Sequence, residues 1–173
     1  MLISEAYRKE QELLHSRGNY GVASKAFAAQ VTALIDGLGV TEILDYGCGS
    51  HANLAKSITP SHEVTVNLYD PGVPEYSNAP DSSQLVTCID VLEHIEPEYL
   101  DDVLDDLKRV TEFYGFFTVH TGPAVKVLSD GRNAHLIQEP PAWWLPKIMA
   151  RFDLQQFQKR PDGFIVLVKP YVD

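Results

Sequence analysis

Ile43-Leu44-Asp45-Tyr46-Gly47-Cys48-Gly49-Ser50 is the stretch whose reading decides the fold. Its apolar start, Ile43-Leu44, has the character of a buried strand, and it breaks at an Asp-x-Gly-x-Gly turn. At 51–58 the four-residue spacing of Leu54 and Ile58 predicts a short helix, closed by Pro60. Strand, glycine turn and helix in this order bring backbone N–H groups close to a nucleotide-like ligand. Gly47 and Gly49 lack a Cβ, so a ligand can lie against the main chain. A dinucleotide fingerprint would carry a third glycine, but Ala52 and Asn53 stand there instead. That favours a smaller, adenosyl-type ligand over a pyrophosphate. A tight turn that merely needs glycine would give the same string, so the surrounding chain has to decide.

Upstream, residues 2–16 have a helical pattern with Ile3, Tyr7 and Leu14 on one face, broken by Arg17-Gly18-Asn19-Tyr20-Gly21. A second helix follows, with Phe27, Val31, Leu34, Ile35 and Leu38 at spacings of three and four. Residues 1–40 are thus expected to wall or cover a core spanning 41–173. Downstream, Val64, Val66 and Leu68 alternate with Thr65, Asn67 and Tyr69, predicting a strand that ends at Asp70-Pro71-Gly72. Asp70 lies 25 residues after Asp45, near the ~20 at which an acidic residue takes hydrogen bonds from ribose hydroxyls in nucleotide folds. The segment 71–83 carries three prolines and no periodicity, so the sheet looks trimmed at this edge. Residues 85–89 read as a buried central strand ending at Asp90. Pro97 then opens a helix with Leu100, Val103, Leu104, Leu107 and Val110 on an apolar face and Asp101, Asp102, Asp105 and Asp106 on a solvated one. A strand at 115–121, a long loop at 122–141 and a helix carrying Trp143, Trp144, Ile148, Met149 and Phe152 follow. Two strands at 154–159 and 164–169 flank Pro161-Asp162-Gly163 as an antiparallel hairpin.

The densest chemistry is Asp90-Val91-Leu92-Glu93-His94-Ile95, directly after the central strand, at the carboxyl edge where open α/β sheets bind ligands. Its Asp-x-x-Glu-His spacing puts two carboxylates and an imidazole on consecutive turns. With the glycine turn, Asp70 and the final hairpin, it makes residues 41–170 resemble the class I S-adenosylmethionine-dependent methyltransferases. The resemblance implies a Rossmann-like α/β fold, mostly parallel, with helices on both faces and a terminal antiparallel hairpin, here trimmed after the second strand. It also implies S-adenosylmethionine against Asp45, Tyr46, Gly47, Cys48 and Gly49, with Asp70 and Pro71 at the ribose and Asp90 and Val91 beside it. Tyr20 would close over the methionine end, and Cys48 would pack beneath the turn.

Around Asp90–His94 the chain is similar to methyltransferases of ubiquinone biosynthesis and to small-RNA 2′-O-methyltransferases. In those enzymes a comparable segment can hold a divalent metal together with a distant histidine. Arg132-Asn133-Ala134-His135 resembles the distant segment, so the implied metal set is Asp90, Glu93, His94 and His135. Such donors suit Mg, Mn or Zn, and a metal would lower the pKa of an acceptor hydroxyl. Without metal, His94 would serve as an acid–base group, with Glu93 orienting the loop and His135 across the site. His120 reads as structural or substrate-facing, and Trp143-Trp144 as core packing with one ring available to stack on an acceptor.

At 173 residues the chain fits one domain with a sizeable core. A net charge of −10 repels a phosphate backbone, and no basic run offsets it. Two cysteines, Cys48 and Cys88, suggest neither a disulfide framework nor a zinc knuckle, so a reducing cytoplasm is expected. Ala6-Tyr7-Arg8-Lys9-Glu10 interrupts any early apolar run, and no stretch reaches membrane-spanning length. The expected function is methyl transfer to a small-molecule acceptor, at oxygen. Two alternatives stand beside it: an RNA 2′-O-methyltransferase with a divalent metal, and a catalytically silent S-adenosylmethionine-binding partner that meets another protein at the trimmed sheet edge.

Overall fold

The computed structural model describes residues 1–16 and 23–171. Helix α1 is Glu5–Ser16 and α2 is Ala28–Leu38; strands β1, Glu42–Tyr46, β2, Thr65–Tyr69, and β3, Ser83–Ile89, follow. Helix α3, Leu100–Val110, runs into β4, Thr111–His120; then come α4, Pro141–Met149, β5, Phe152–Arg160, and β6, Gly163–Pro170. One six-stranded sheet has the order β2-β1-β3-β4-β6-β5. The first four strands run parallel to one another, and β6 runs antiparallel to both β4 and β5. From β1 the chain steps outward to β2 and then back across to β3. Loops leaving the carboxyl ends of β1 and β3 therefore part in opposite directions and open a crevice, the usual ligand position in such sheets.

Burial follows the apolar pattern. On one face α2 lays Val31 and Ile35 against Ile43, Leu85 and Phe116, with Ile165 of β6 alongside. On the other, α3 and α4 pack against Leu44, Val86, Phe117 and Val166, with Trp144 fully buried. All five apolar residues of α3 are buried, each worth about 1.5–3 kcal/mol relative to exposure. On its acidic face Asp101, Asp102 and Asp105 are exposed and Asp106 is half-buried. Asp106 accepts a hydrogen bond from the Tyr46 hydroxyl at 2.9 Å and pairs with Arg109, while Arg151 bridges Asp101 and Asp105.

Two sequence expectations change. No regular helix forms at 51–58. Gly49 and Ala52 take left-handed backbone, with φ of 66° and 46°, and only Lys56 and Ile58 donate to the carbonyl four residues back. Leu54 is nonetheless fully buried and pins these turns to the sheet. Phe152 opens β5 instead of closing α4, because its ring seats edge-on against Phe117, centroids 5.3 Å apart. Segment 71–82 holds only a short 3-10 turn, Pro74–Tyr76, so β2 is left as the sheet edge, as the trimmed pattern implies.

The two N-terminal helices occupy different places. α2 belongs to the core, whereas α1 lies across the carboxyl ends of the strands. The Tyr7 hydroxyl donates to the His94 carbonyl at 2.6 Å, and Ser4 donates twice to Glu96. Ser129 of the loop after β4 donates to Glu10, and Leu14, Leu128 and Ala134 bury one another beneath. No helix among the described residues is long and apolar enough to cross a membrane.

Candidate active site

A cavity of about 420 Å³ opens at the carboxyl ends of β1 and β3, beneath α1. Such a volume is ordinary for a small-molecule site. One end is built by the glycine turn. Gly47 and Cys48 both donate their N–H to the Tyr69 carbonyl, at 2.7 and 3.1 Å, which locks the turn to the tip of β2. Gly47 has φ of 83°, and a Cβ on it would fall 2.3 Å from a Val91 methyl, so the turn and the segment after β3 meet only because this residue is glycine. Asp70 takes the Gly49 N–H on one carboxylate oxygen and the Gly72 N–H on the other, both at 2.9 Å.

Tyr46, Gly47, Gly49, Asp70, Pro71, Asp90 and Val91 all line the cavity; Asp45 and Cys48 do not. Asp45 is 1% exposed, with one oxygen accepting from the Thr87 hydroxyl at 3.0 Å and the other without a partner. Burial raises its carboxyl to about pKa 7. Cys48 is likewise buried below the turn, its thiol pushed up by burial. Both hold the turn from beneath. Tyr20 lies outside the described residues.

The other end gathers three imidazoles and a buried acid. His94 and His135 stand edge to face, ring centroids 4.7 Å apart, and His120 lies 4.9 Å from His135. The positions of these rings follow from backbone contacts. His94 Nδ1 meets the Ala134 carbonyl at 2.8 Å and His135 Nδ1 meets the Gly122 carbonyl at 2.7 Å. A carbonyl only accepts, so each Nδ1 carries the proton and each Nε2 the lone pair. Asn133 makes this loop rigid, its amide clasping both N–H and C=O of Ala124 and its oxygen also taking the His135 N–H. Glu93 is 0% exposed, with one oxygen accepting the His120 N–H at 3.0 Å and the other unpartnered.

Burial sets the charges here. Glu93 is pushed well above the usual carboxyl range by burial, and further by neighbouring Asp90. His94 falls to about pKa 3 through burial and the adjacent His135, and His135 itself is lowered by burial. One donor atom each from Glu93, His94 and His135 lies within 4.8 Å of the others. Asp90 stands apart from this group. Its backbone is left-handed, φ 51°, and its carboxylate takes the Thr118 hydroxyl at 2.6 Å. His120 Nδ1 faces Gly122, 3.1 Å from its N–H and 3.3 Å from its carbonyl oxygen, and Nε2 stands 4.0 Å from Asp162.

Sequence reasoning passed over Gln11 and His15, both buried against the cavity. They fall with Tyr7 and Leu14 on the inward stripe of α1. Polar residues in a stripe that otherwise reads apolar were the available signal.

No protein-family model matches the chain, and no curated protein sequence matches it. Solved structures do. The Burkholderia thailandensis 1,6-didemethyltoxoflavin-N1-methyltransferase, with 1,6-didemethyltoxoflavin and S-adenosylhomocysteine bound, aligns at TM-score 0.64 and 14% identity over 95% of this chain and 88% of that one. Magnesium protoporphyrin IX methyltransferase from Synechocystis PCC 6803, with S-adenosylhomocysteine bound, aligns at TM-score 0.63 and 14% identity over 96% and 97%. The protein TnmH aligns at 0.61 and 13% identity over 93% of this chain, which spans 57% of TnmH's length. At such identities the likeness speaks for the fold, and with the sheet order and crevice already described it is decisive there: this chain has the class I methyltransferase fold, with β2 as the sheet edge among the described residues.

Proposed function

We propose that the protein is an S-adenosylmethionine-dependent methyltransferase acting on an oxygen of a small-molecule acceptor, with a divalent cation held by Glu93, His94 and His135. The observation that carries this reading is one cavity shared by the Gly47–Gly49 turn, Asp70 and that three-residue cluster. The cofactor fits its end of the cavity. Asp70 offers a carboxylate at the β2 tip, the turn exposes backbone, and Pro71, Ile89 and Val91 offer apolar surface for a purine. Two of the structural neighbours hold S-adenosylhomocysteine. The sulfonium supplies a methyl group already activated for displacement. The protein's part is alignment, worth up to about 7–11 kcal/mol for well-oriented reactants.

The cluster also fits a cation. Glu93 has a buried oxygen without a partner among the described residues and lies with two neutral imidazoles in one cluster, and backbone carbonyls fix both rings with Nε2 as acceptor, the usual support for metal-bound histidine. Two nitrogens and one oxygen suit Mn or Zn better than Mg. A cation there would lower the pKa of an acceptor hydroxyl. His94 as a metal-free base is the second reading, favoured by its place at the cavity wall. Its low basicity weighs against it, since a group near pKa 3 takes up little proton at neutral pH. The buried free thiols Cys48 and Cys88 suit a reducing cytoplasm.

The test begins with calorimetry of S-adenosylhomocysteine; no binding under several conditions refutes the cofactor reading. Incubation with methyl-labelled S-adenosylmethionine and metabolite fractions, read by mass spectrometry, then finds the acceptor. Metal-dependent transfer predicts that His94→Ala, His135→Ala and a chelator each abolish labelling. Loss with His94→Ala and no chelator effect would support the metal-free base. Cofactor binding with no labelled product, restored by a protein pairing at β2, would instead identify a regulatory subunit.

A further inference from the structure

Helix α1 closes over the cofactor end of the cavity, and two of its polar side chains are buried there. Gln11 is 7% exposed and lines the cavity. Its amide nitrogen has no hydrogen-bond partner among the described residues, and the neighbouring Tyr7 hydroxyl already donates its own proton to the His94 carbonyl. Leaving a buried donor unmatched is costly, so such a group in a cavity wall marks a place where a ligand supplies the acceptor. The contact with the β2 tip is close. A Cβ built on Gly72 would fall 2.7 Å from Gln11 Cβ, 3.3 Å from an Asp70 carboxylate oxygen and 3.4 Å from the His15 ring. Gln11, His15 and Asp70 therefore enclose one small compartment, with His15 Nε2 3.8 Å from Asp70.

We propose that Gln11 is a cofactor-binding residue that donates its amide N–H to a ribose hydroxyl oxygen held from the opposite side by Asp70. The proposal rests on the S-adenosylmethionine reading above. The chemistry is complementary. A carboxylate can only accept, so it takes the ribose O–H, and the hydroxyl oxygen keeps lone pairs that need a donor. Asp70 already has a backbone N–H on each oxygen, which leaves further lone pairs to accept hydroxyl protons but gives it nothing to donate. Gln11 supplies the missing half. It also gives α1 a part in recognising ribose, where the first, second and third strands would otherwise do all the work.

Calorimetry with S-adenosylhomocysteine and with its 2′,3′-dideoxyribose analogue tests this, on wild type and on Gln11→Met, which keeps length and burial but removes the donor. The expected result is about five- to tenfold weaker binding of S-adenosylhomocysteine by Gln11→Met, the worth of one hydrogen bond. With the dideoxy analogue the two proteins should bind within about twofold of each other. Equal binding of S-adenosylhomocysteine by both proteins overturns the proposal, as does an equal loss for both ligands, which would make Gln11 merely structural. Failure of the wild type to bind S-adenosylhomocysteine at all refutes the cofactor reading itself and is thereby distinguished. Should Gln11→Met not fold, crystals of the wild type with S-adenosylhomocysteine decide: the Gln11 amide within hydrogen-bonding distance of a ribose oxygen supports the proposal, and an amide turned away from the ribose overturns it.

Discussion

Asp45 keeps one carboxylate oxygen against the Thr87 hydroxyl and buries the other with no partner. Its folded pKa of about 7 stands above the ordinary 3.8, through burial. Folding therefore binds a proton to it, and the sign of the pH effect follows. The neutral carboxyl costs nothing below the unfolded value, and stability is lost as pH rises through the window from about 4 to about 7. Asp45→Asn keeps the shape without the charge. Urea unfolding should find the variant close to wild type at pH 4–5 and more stable at pH 8 by on the order of 2–4 kcal/mol. A difference that does not change with pH would show that folding leaves the Asp45 pKa where it was, and one that turns against the variant as pH rises would show a carboxylate stabilised as a charge. The same residue marks a limit of sequence reading. The Asp-x-Gly-x-Gly string gives the turn, but which side chains rise to the ligand and which pack below depends on the pairing of Gly47 and Cys48 with Tyr69, and no local pattern carries that.

At the scale of elements, β6 is tied to β4 by a contact that tolerates no side chain. A Cβ on Gly163 would stand 1.9 Å from the Val119 carbonyl oxygen, at the register where Gly163 faces His120. Gly163→Ala should destabilise the fold by about 2–4 kcal/mol, measured by chemical unfolding, and should disturb the His120–Asp162 end of the site. A loss below about 0.5 kcal/mol would mean that the hairpin shifts freely. Elements with strong apolar runs were legible: β1, β3, β4 and β6 each bury nearly every inward residue, and α3 showed its face through spacing alone. What stayed hidden was decided across the sheet. Phe152 has no local reason to leave α4, but its place against Phe117 makes it a strand residue. The helix expected at 51–58 fails because left-handed Gly49 and Ala52 consume its first turn.

For the whole molecule, charge and site assembly point the same way. The net charge is −10, and Lys126 is the one lysine or arginine among the described residues lining the cavity. Fluorescence anisotropy with a short unstructured RNA should find no saturation below about 10⁻⁴ M at physiological salt. Micromolar binding that survives added salt would move the RNA methyltransferase reading ahead of the small-molecule one. The candidate site was half legible in the sequence. Asp90-Val91-Leu92-Glu93-His94 stood out as a string, and resemblance brought in His135. That Asp90 turns to Thr118 instead, and that His120 and Gln11 join the wall, required the fold. The sheet order has one further result, for synthesis. β6 is last in sequence but lies inside the sheet, between β4 and β5. The four parallel strands are translated by His120, while β6 ends at Pro170. At ~5–20 residues per second a ribosome needs roughly 3–10 s to make that interval, and throughout it the inner edge of β4 stands open. A nascent chain stalled there would offer the bare β4 edge to a chaperone, or to a second unfinished copy.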